Sequence, residues 1–147
     1  MARSPLTLTE GRALAFHRRP FFMLAVMGFG SSLAFATWMA VISNFVVEIV
    51  AFDGSENGWM HTVREIPGFL AFLAIFIFAL IKEQTFGLIS LALLGIGTAF
   101  TAQFPTFQGV LLMTFISSVG FHYYETVAQS LQLQWLPKAD APRLLGW

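Results

Sequence analysis

The polar side chains with the clearest spacing lie in the last apolar segment of the chain. Six of them follow one another at intervals of three or four residues: Thr114, Ser118, His122, Glu125, Gln129 and Gln132. Residues at these intervals share one side of an α-helix. An ionisable side chain in a membrane helix faces a protein interior or water. The stripe therefore predicts one wall of a hydrated cavity.

Within this stripe, His122 and Glu125 are three residues apart and can touch. Such a pair can hold or relay a proton, or bind a cationic or hydrogen-bonding solute. We expect substrate or proton binding by Ser118, His122, Glu125 and Gln129. Two alternatives stay open: the stripe could be a polar seam between helices, or its later end, Gln129 and Gln132, could lie at the membrane interface.

A shorter stripe runs along the first apolar segment. It consists of Gly30, Thr37, Asn44 and Glu48, of which Thr37 and Asn44 are candidate binding residues. Packing against another helix explains this stripe equally well.

The second apolar segment begins with charged residues and contains a proline. Arg64 and Glu65 are candidates for gating or for an ion pair, and Pro67 is expected to kink the helix in a way that gating could use. Arg64 either reaches the outer interface or pairs with an acid inside the bundle. Adjacent helix residues do not face each other, so a partner other than Glu65 is expected. A direct bridge to Glu125 is not expected, since about 15–20 Å of depth separates them at 1.5 Å per residue.

Several classes of chemistry are missing from the sequence. The chain has no Cys and a net charge of zero, so thiolate chemistry is excluded and nucleic acid is not an expected partner. His17 and His61 lie far from His122, and no metal site is expected. No nucleophile elbow, phosphate loop or metalloprotease motif occurs. We therefore expect neither an enzyme nor a cofactor.

Four apolar segments must position these residues. The chain is 56% hydrophobic and 11% charged, and the segments cover about 21–52, 59–81, 86–104 and 107–136. A helix of roughly 20 apolar residues crosses a bilayer. The sequence predicts an all-α polytopic membrane protein, a four-helix transmembrane bundle surrounded by lipid. A soluble bundle would need a charged face on every helix, and a cleaved signal peptide would have a shorter apolar run.

The cations indicate an orientation. A basic leader, 1–20, precedes the first segment, and a tail or loop, 137–147, follows the fourth. With four crossings, the cations outside the segments all fall on one side of the membrane: Arg3, Arg12, Arg18, Arg19, Lys82, Lys138 and Arg143. The positive-inside rule then places both termini in the cytoplasm of a multi-pass inner-membrane protein.

Small residues recur in two of the segments. In the first they are Gly28, Ser32, Ala36 and Ala40, and in the third Gly87, Ala92, Gly95, Gly97, Ala99 and Ala102. Small side chains let helices approach closely, so these positions predict tight helix packing.

The arrangement resembles helices one to four of a major facilitator superfamily transporter over residues 18–147. The local marks are the basic leader before Pro20, Phe21 and Phe22, the pair Gly58-Trp59, and the run from Leu136 through Arg143. The resemblance implies twelve helices in two halves, a substrate near the midplane, a cavity lined by helices one and four, and alternating access by rocking. With four helices, the chain would be a truncated transporter or a small relative that assembles with other chains.

The expected function is therefore part of a secondary-active transporter for a small solute, with proton coupling through Glu125 and His122. The expected partners are the lipid bilayer, the solute, and the remaining transporter helices or other copies of the chain. The alternative is a four-helix assembly or regulatory subunit without transport activity.

Overall fold

The computed structural model of the chain describes residues 20–136. This part of the chain is helical and contains no β-strand. Its α-helices are α1 (Pro20–Glu48), α2 (Gly54–Phe69), α3 (Ala74–Phe78), α4 (Glu83–Phe100) and α5 (Phe107–Trp135). The 3-10 turn Ala71–Leu73 joins α2 to α3, and the 3-10 turn Thr101–Gln103 extends α4.

Three stretches of the described residues are long and apolar enough to cross a membrane. They are Pro20–Glu48, Gly54–Phe78 and Glu83–Gln103. The all-helical class is thus confirmed, with three helices of spanning length and composition. α5 is as long as α1, at 29 residues, but its polar side chains lower its hydropathy and it is not among the three.

The bundle of four spanning helices and the cytoplasmic placement of both termini stay predictions. Residues 1–19 of the predicted leader and all of the predicted tail, 137–147, lie outside the described residues. Of the cations that indicate the orientation, Lys82 alone belongs to the described range.

The junction between α1 and α2 is a short, hydrogen-bonded turn. Ala51 has a φ of 60°, the left-handed conformation that commonly ends a helix, and the Phe52 N–H donates to the Val46 carbonyl at 2.8 Å. The Asp53 carboxylate then accepts from the Glu56 N–H while Glu56 accepts from the Asp53 N–H. This capping box starts α2 at Gly54, earlier than the predicted apolar segment at residue 59.

α2 ends shortly after an internal proline. Pro67 has no N–H, so the Val63 carbonyl loses its donor within the helix. The chain leaves the α-helical geometry after Phe69, passes through the 3-10 turn and resumes as α3. A change to 3-10 geometry within an apolar stretch is typical of a hinge or of strain.

α5 packs against all four of the other helices, and its contact with α4 is the closest. A Cβ added to Gly97 would lie 2.6 Å from the Ser117 backbone nitrogen, and one added to Gly120 would strike the backbone of Ser90 and Leu94. The two backbones therefore touch where these glycines lie. The predicted packing of small residues is thus confirmed at Gly97 and Gly87. It is wrong for most of the others, because no described helix covers their side of α1 or α4 and they are exposed: Ser32, Ala36, Ala40, Ala92, Gly95, Ala99 and Ala102.

Apolar clusters occupy the two ends of the structure. One joins α1, α2 and α5 through Trp38, Ile42, Val46, Phe52, Met60 and Val110. At the other end, Ala74, Phe86, Val127 and Leu131 form one cluster, and Met27, Tyr124 and Ala128 form a second. Ser117 and Ser118 of α5 are buried between these ends, since Val110 belongs to the first cluster and Tyr124 and Val127 to the others.

Candidate functional site

A cavity of about 190 Å³ lies between the apolar clusters. Its lining comes from α1, α2, α4 and α5 and consists of Phe35, Trp38, Arg64, Glu65, Leu94, Ser117, Ser118, Phe121 and His122. We call it the central pocket. Ser118 is 11 residues from the start of α5, about 16 Å along a helix of about 43 Å at 1.5 Å per residue. The central pocket therefore lies far from both ends of α5.

Arg64 is the cation of the central pocket. Its Nε and Nη2 atoms donate to the same oxygen of Glu65, Oε1, at 2.9 and 2.6 Å. Its guanidinium lies 5.4 Å from the centre of the Trp38 ring, within the range of a cation–π contact. Its Nη1 atom approaches the Met39 sulfur at 3.8 Å.

The expectation that Arg64 pairs with an acid other than Glu65 is therefore wrong. Adjacent helix residues do point in different directions, but both of these side chains are long enough to turn toward each other. The Arg64 side chain is 28% exposed and that of Glu65 is 49% exposed. Both side chains therefore reach the open side of the pocket, where they have room to turn and pair.

Side chains of α5 bind two carbonyl groups near Pro67, one within α2 and one on the residue after it. The Ser118 hydroxyl donates to the Arg64 carbonyl, and the Tyr123 hydroxyl donates to the Leu70 carbonyl at 3.2 Å. These bonds lie on either side of Pro67. They tie the interrupted part of α2, where Pro67 is buried, to α5 by polar contacts.

His122 lies at the wall of the central pocket beside Gly68. A Cβ at Gly68 would lie 3.0 Å from His122 Cε1 and 3.2 Å from both ring nitrogens, so the imidazole covers the position left free by the glycine. The Phe121 ring meets the imidazole edge-on at 5.4 Å. No hydrogen bond joins His122 to Glu125 or to any other residue through its ring, within the part of the chain that the structure describes.

Two buried polar atoms near the pocket lack a hydrogen-bond partner among the described residues. They are the indole Nε1 of Trp38, a residue 6% exposed, and Oγ1 of Thr114. A buried N–H without an acceptor costs about 1–3 kcal/mol. Trp38 is therefore an unpaired hydrogen-bond donor within the residues that line the pocket.

The structure brings together some of the residues expected to bind a solute or a proton and separates others. Ser118 and His122 line the central pocket, as do Arg64 and Glu65. Pro67 is buried next to it. Thr37, Asn44, Glu125 and Gln129 are exposed and lie outside this pocket.

The exposure of Glu125 and Gln129 follows from the path of the chain after α2. Leu70, where α2 has ended, is level with Tyr123 because of their hydrogen bond. Beyond that level Ala74 packs against Val127 and Leu131. Val127 and Gln129 are two residues apart and point about 200° apart at 3.6 residues per turn, so this packing leaves the face of Gln129 uncovered.

The hydrogen bond between Ser118 and Arg64 also revises a distance. It places these two residues at one level, and Glu125 lies seven residues farther along α5. At 1.5 Å per residue, Arg64 and Glu125 differ by about 10 Å in depth. The expected separation of about 15–20 Å is too large, although Arg64 still pairs with Glu65 and not with Glu125.

The aromatic part of the site is absent from the sequence-based expectations. Phe35 of α1 stacks on Phe121 of α5 at 4.8 Å between ring centres, and both line the pocket beside Trp38. In a chain with 17 Phe residues, no single Phe stands out. Trp38 was recognisable as the one indole inside the first segment, three residues after Phe35 and thus on the same side of the helix.

Within residues 20–136, no group of three or more His, Asp or Glu side chains is arranged to hold a metal ion. No protein-family model, curated protein or solved structure matches the chain. The central pocket therefore provides the basis for an inference about function.

Proposed function

We propose that the chain forms part of a secondary-active transporter in the inner cell membrane and that the central pocket binds its small solute. The observation that carries this proposal is the position of the Arg64–Glu65 pair. The pair lies with His122 and Ser118 in a pocket between helices, far from both ends of α5. Charged groups at such a depth cost several kcal/mol and usually mark a substrate or ion path.

The contacts around the pocket support a moving part. α5 and α4 meet through their backbones at Gly97 and Gly120, so they move as one body. α2 meets α5 through hydroxyl groups on either side of Pro67. Rocking of α2 about its proline would open and close the pocket, as alternating access requires.

Proton coupling is assigned to His122, in the pocket, and to Glu125, one turn farther along α5. They are three residues apart on the helix, so a proton passing between them needs only a side-chain rotation or one bridging water. Thr37, Asn44 and Gln129 belong to the same proposal as exposed polar groups that face the solute path once further helices cover them.

A second candidate, an assembly or regulatory subunit without transport activity, is favoured by one observation. Glu125 and Gln129 are exposed together with many large apolar side chains, among them Phe29, Phe72 and Leu133. A carboxylate facing lipid is costly, so another protein surface is needed over Glu125. Both candidates therefore share a partner, either other transporter helices or other copies of this chain.

The test is uptake by proteoliposomes that contain the protein purified from its own membrane with its associated chains. The solutes are a sugar, an amino acid, a carboxylate and an amine, and an enclosed pH dye reports proton movement. We expect saturable uptake of at least one solute, its loss in Arg64→Gln, and loss of the proton signal in Glu125→Gln. Glu48→Gln, on α1 outside the pocket, serves as the matched control.

Two outcomes contradict parts of the proposal. Saturable uptake of none of the four solutes by folded protein would rule out transport and leave the subunit candidate. Uptake with an unaltered proton signal in Glu125→Gln would remove Glu125 from the coupling path.

A further inference from the structure

The Arg64–Glu65 ion pair is built so that another carboxylate can replace Glu65. Both recorded contacts fall on Oε1 of Glu65, whereas the strongest arginine–carboxylate pairs use both oxygens in a fork-to-fork arrangement. The Glu65 side chain is also half exposed. In the proposed transporter the open side of the pocket is hydrated, so this half-exposed pair contributes little and Glu65 can turn along that side without entering lipid.

Three N–H groups around the pocket lack a strong acceptor among the described residues. Arg64 Nη1 has only the Met39 sulfur as its recorded partner, a weak acceptor. Trp38 Nε1 is a buried N–H without a partner. The His122 ring carries a further N–H in any neutral form. A molecule with two acceptor oxygens and a negative charge would complement Arg64 Nη1 and the imidazole N–H.

The charge of the pocket limits the ligand to a single negative charge. Glu65 stays nearby even when it turns away, so a dianion such as phosphate would meet repulsion that a monoanion largely avoids. An organic cation is disfavoured for another reason. The indole face that would receive it is already covered by the tethered guanidinium of Arg64 at 5.4 Å.

The rest of the lining is apolar and the space is small. Phe35, Phe121 and Leu94 supply the walls, with the two phenyl rings stacked at 4.8 Å. A volume of about 190 Å³ corresponds to roughly six water molecules at about 30 Å³ each. This matches the size of a short organic acid.

We propose that the central pocket binds a small aliphatic or aromatic monocarboxylate, whose carboxylate replaces Glu65 on Arg64 while its apolar part lies against Phe35 and Phe121. Where it identifies the transported solute, this inference rests on the proposed function. As a statement about binding, it stands on the pocket alone.

The test is binding of three probes of similar shape and different charge: butyrate, butyramide and butylamine. Each is titrated by calorimetry into the full chain in lipid nanodiscs, and Trp fluorescence is followed in parallel in wild type and Trp38→Phe. We expect butyrate to bind, with a fluorescence change that Trp38→Phe removes, and the amide and amine to bind at least about tenfold more weakly, since hydrogen bonds to charged groups are the strong ones.

The two members of the ion pair have opposite expected effects. Arg64→Gln weakens butyrate binding by at least about tenfold. Glu65→Gln removes the competing carboxylate and tightens butyrate binding by about two- to fivefold, the equivalent of one exposed ion pair. Glu48→Gln, a carboxylate of the same helix bundle outside the pocket, leaves it unchanged. Far-UV circular dichroism confirms that each variant is helical.

Preferred binding of butylamine, or weaker butyrate binding in Glu65→Gln, would overturn the inference. So would the absence of butyrate binding at a concentration of about 0.1 M. The Glu65→Gln result decides the matter even if Arg64→Gln does not fold. Butyrate binding without any solute uptake would keep the inference and contradict transport. Uptake of a different solute class without butyrate binding would support transport and overturn the inference.

Discussion

The two long contacts of α5 are made in opposite ways. Toward α4 it presents glycine and serine, and the backbones touch at Gly97 and Gly120. Toward α2 it presents hydroxyl groups and an imidazole, which reach carbonyls and a glycine around Pro67. The first contact has no room for adjustment. The second consists of side chains that can rotate, and the central pocket lies on that side.

The comparison predicts that one substitution has different effects at the two contacts. In Gly120→Ala the new methyl group strikes the backbone of α4, which cannot yield locally. We expect a loss of about 1–3 kcal/mol in the free energy of unfolding, the largest effect of the three predictions. Unfolding of the full chain in mixed detergent micelles, followed by circular dichroism, measures it.

Gly95→Ala is the matched control for that measurement. No atom lies within 4 Å of a Cβ at Gly95, so the same change on the neighbouring helix should be neutral or stabilise by about 0.5–1 kcal/mol. Equal destabilisation by both substitutions would mean that the α4–α5 contact is not backbone to backbone.

The Ser118 hydroxyl tests the polar contact directly. Ser118→Ala removes its bond to the Arg64 carbonyl. A hydrogen bond between membrane helices contributes about 0.6 kcal/mol on average, so we expect a loss of about that size by the same unfolding assay. Ser130→Ala is a suitable control, because Ser130 lies on α5 away from α2 and its recorded partner is the exposed Gln134. A loss above about 3 kcal/mol would show that the α2–α5 contact is as rigid as the α4–α5 contact.

Gly68→Ala has the smallest expected effect. Its methyl group would meet the edge of the His122 ring at 3.0 Å, and the imidazole has space to move on the pocket side. We expect a change in the free energy of unfolding within about 0.5 kcal/mol. A destabilisation equal to that of Gly120→Ala would remove the distinction between the two contacts of α5.

Much of the fold could be predicted from the sequence because it depends on local composition. Long apolar stretches with few charges predict helices, and small residues predict close packing, as the Gly97 contact illustrates. The capping box was also present in the sequence as Asp53 and Glu56 at the right spacing. This capping box, and not the hydropathy of the segment, indicates where α2 begins.

The candidate site was only partly predictable because a helical stripe fixes which residues share a side and not what covers them. Ser118 and Glu125 belong to one stripe, yet Ser118 is buried beneath α2 and Glu125 is exposed where α2 has ended. The pairing of Arg64 with Glu65 depends on side-chain rotamers, which spacing rules do not describe. The stacking of Phe35 on Phe121 depends on how two distant segments align.

The Arg64–Glu65 pair has a consequence for the synthesis of the protein. Because the two residues are consecutive, both charges emerge from the ribosome together, and each is the other's counter-ion before any later helix has been made. An arginine whose carboxylate lay on α5 would have to wait unpaired through two further segments, at a cost of about 2.5–3.5 kcal/mol if it entered the bilayer alone. In the membrane insertion that we propose, the neighbouring glutamate would pair with this arginine as soon as the segment leaves the translocon.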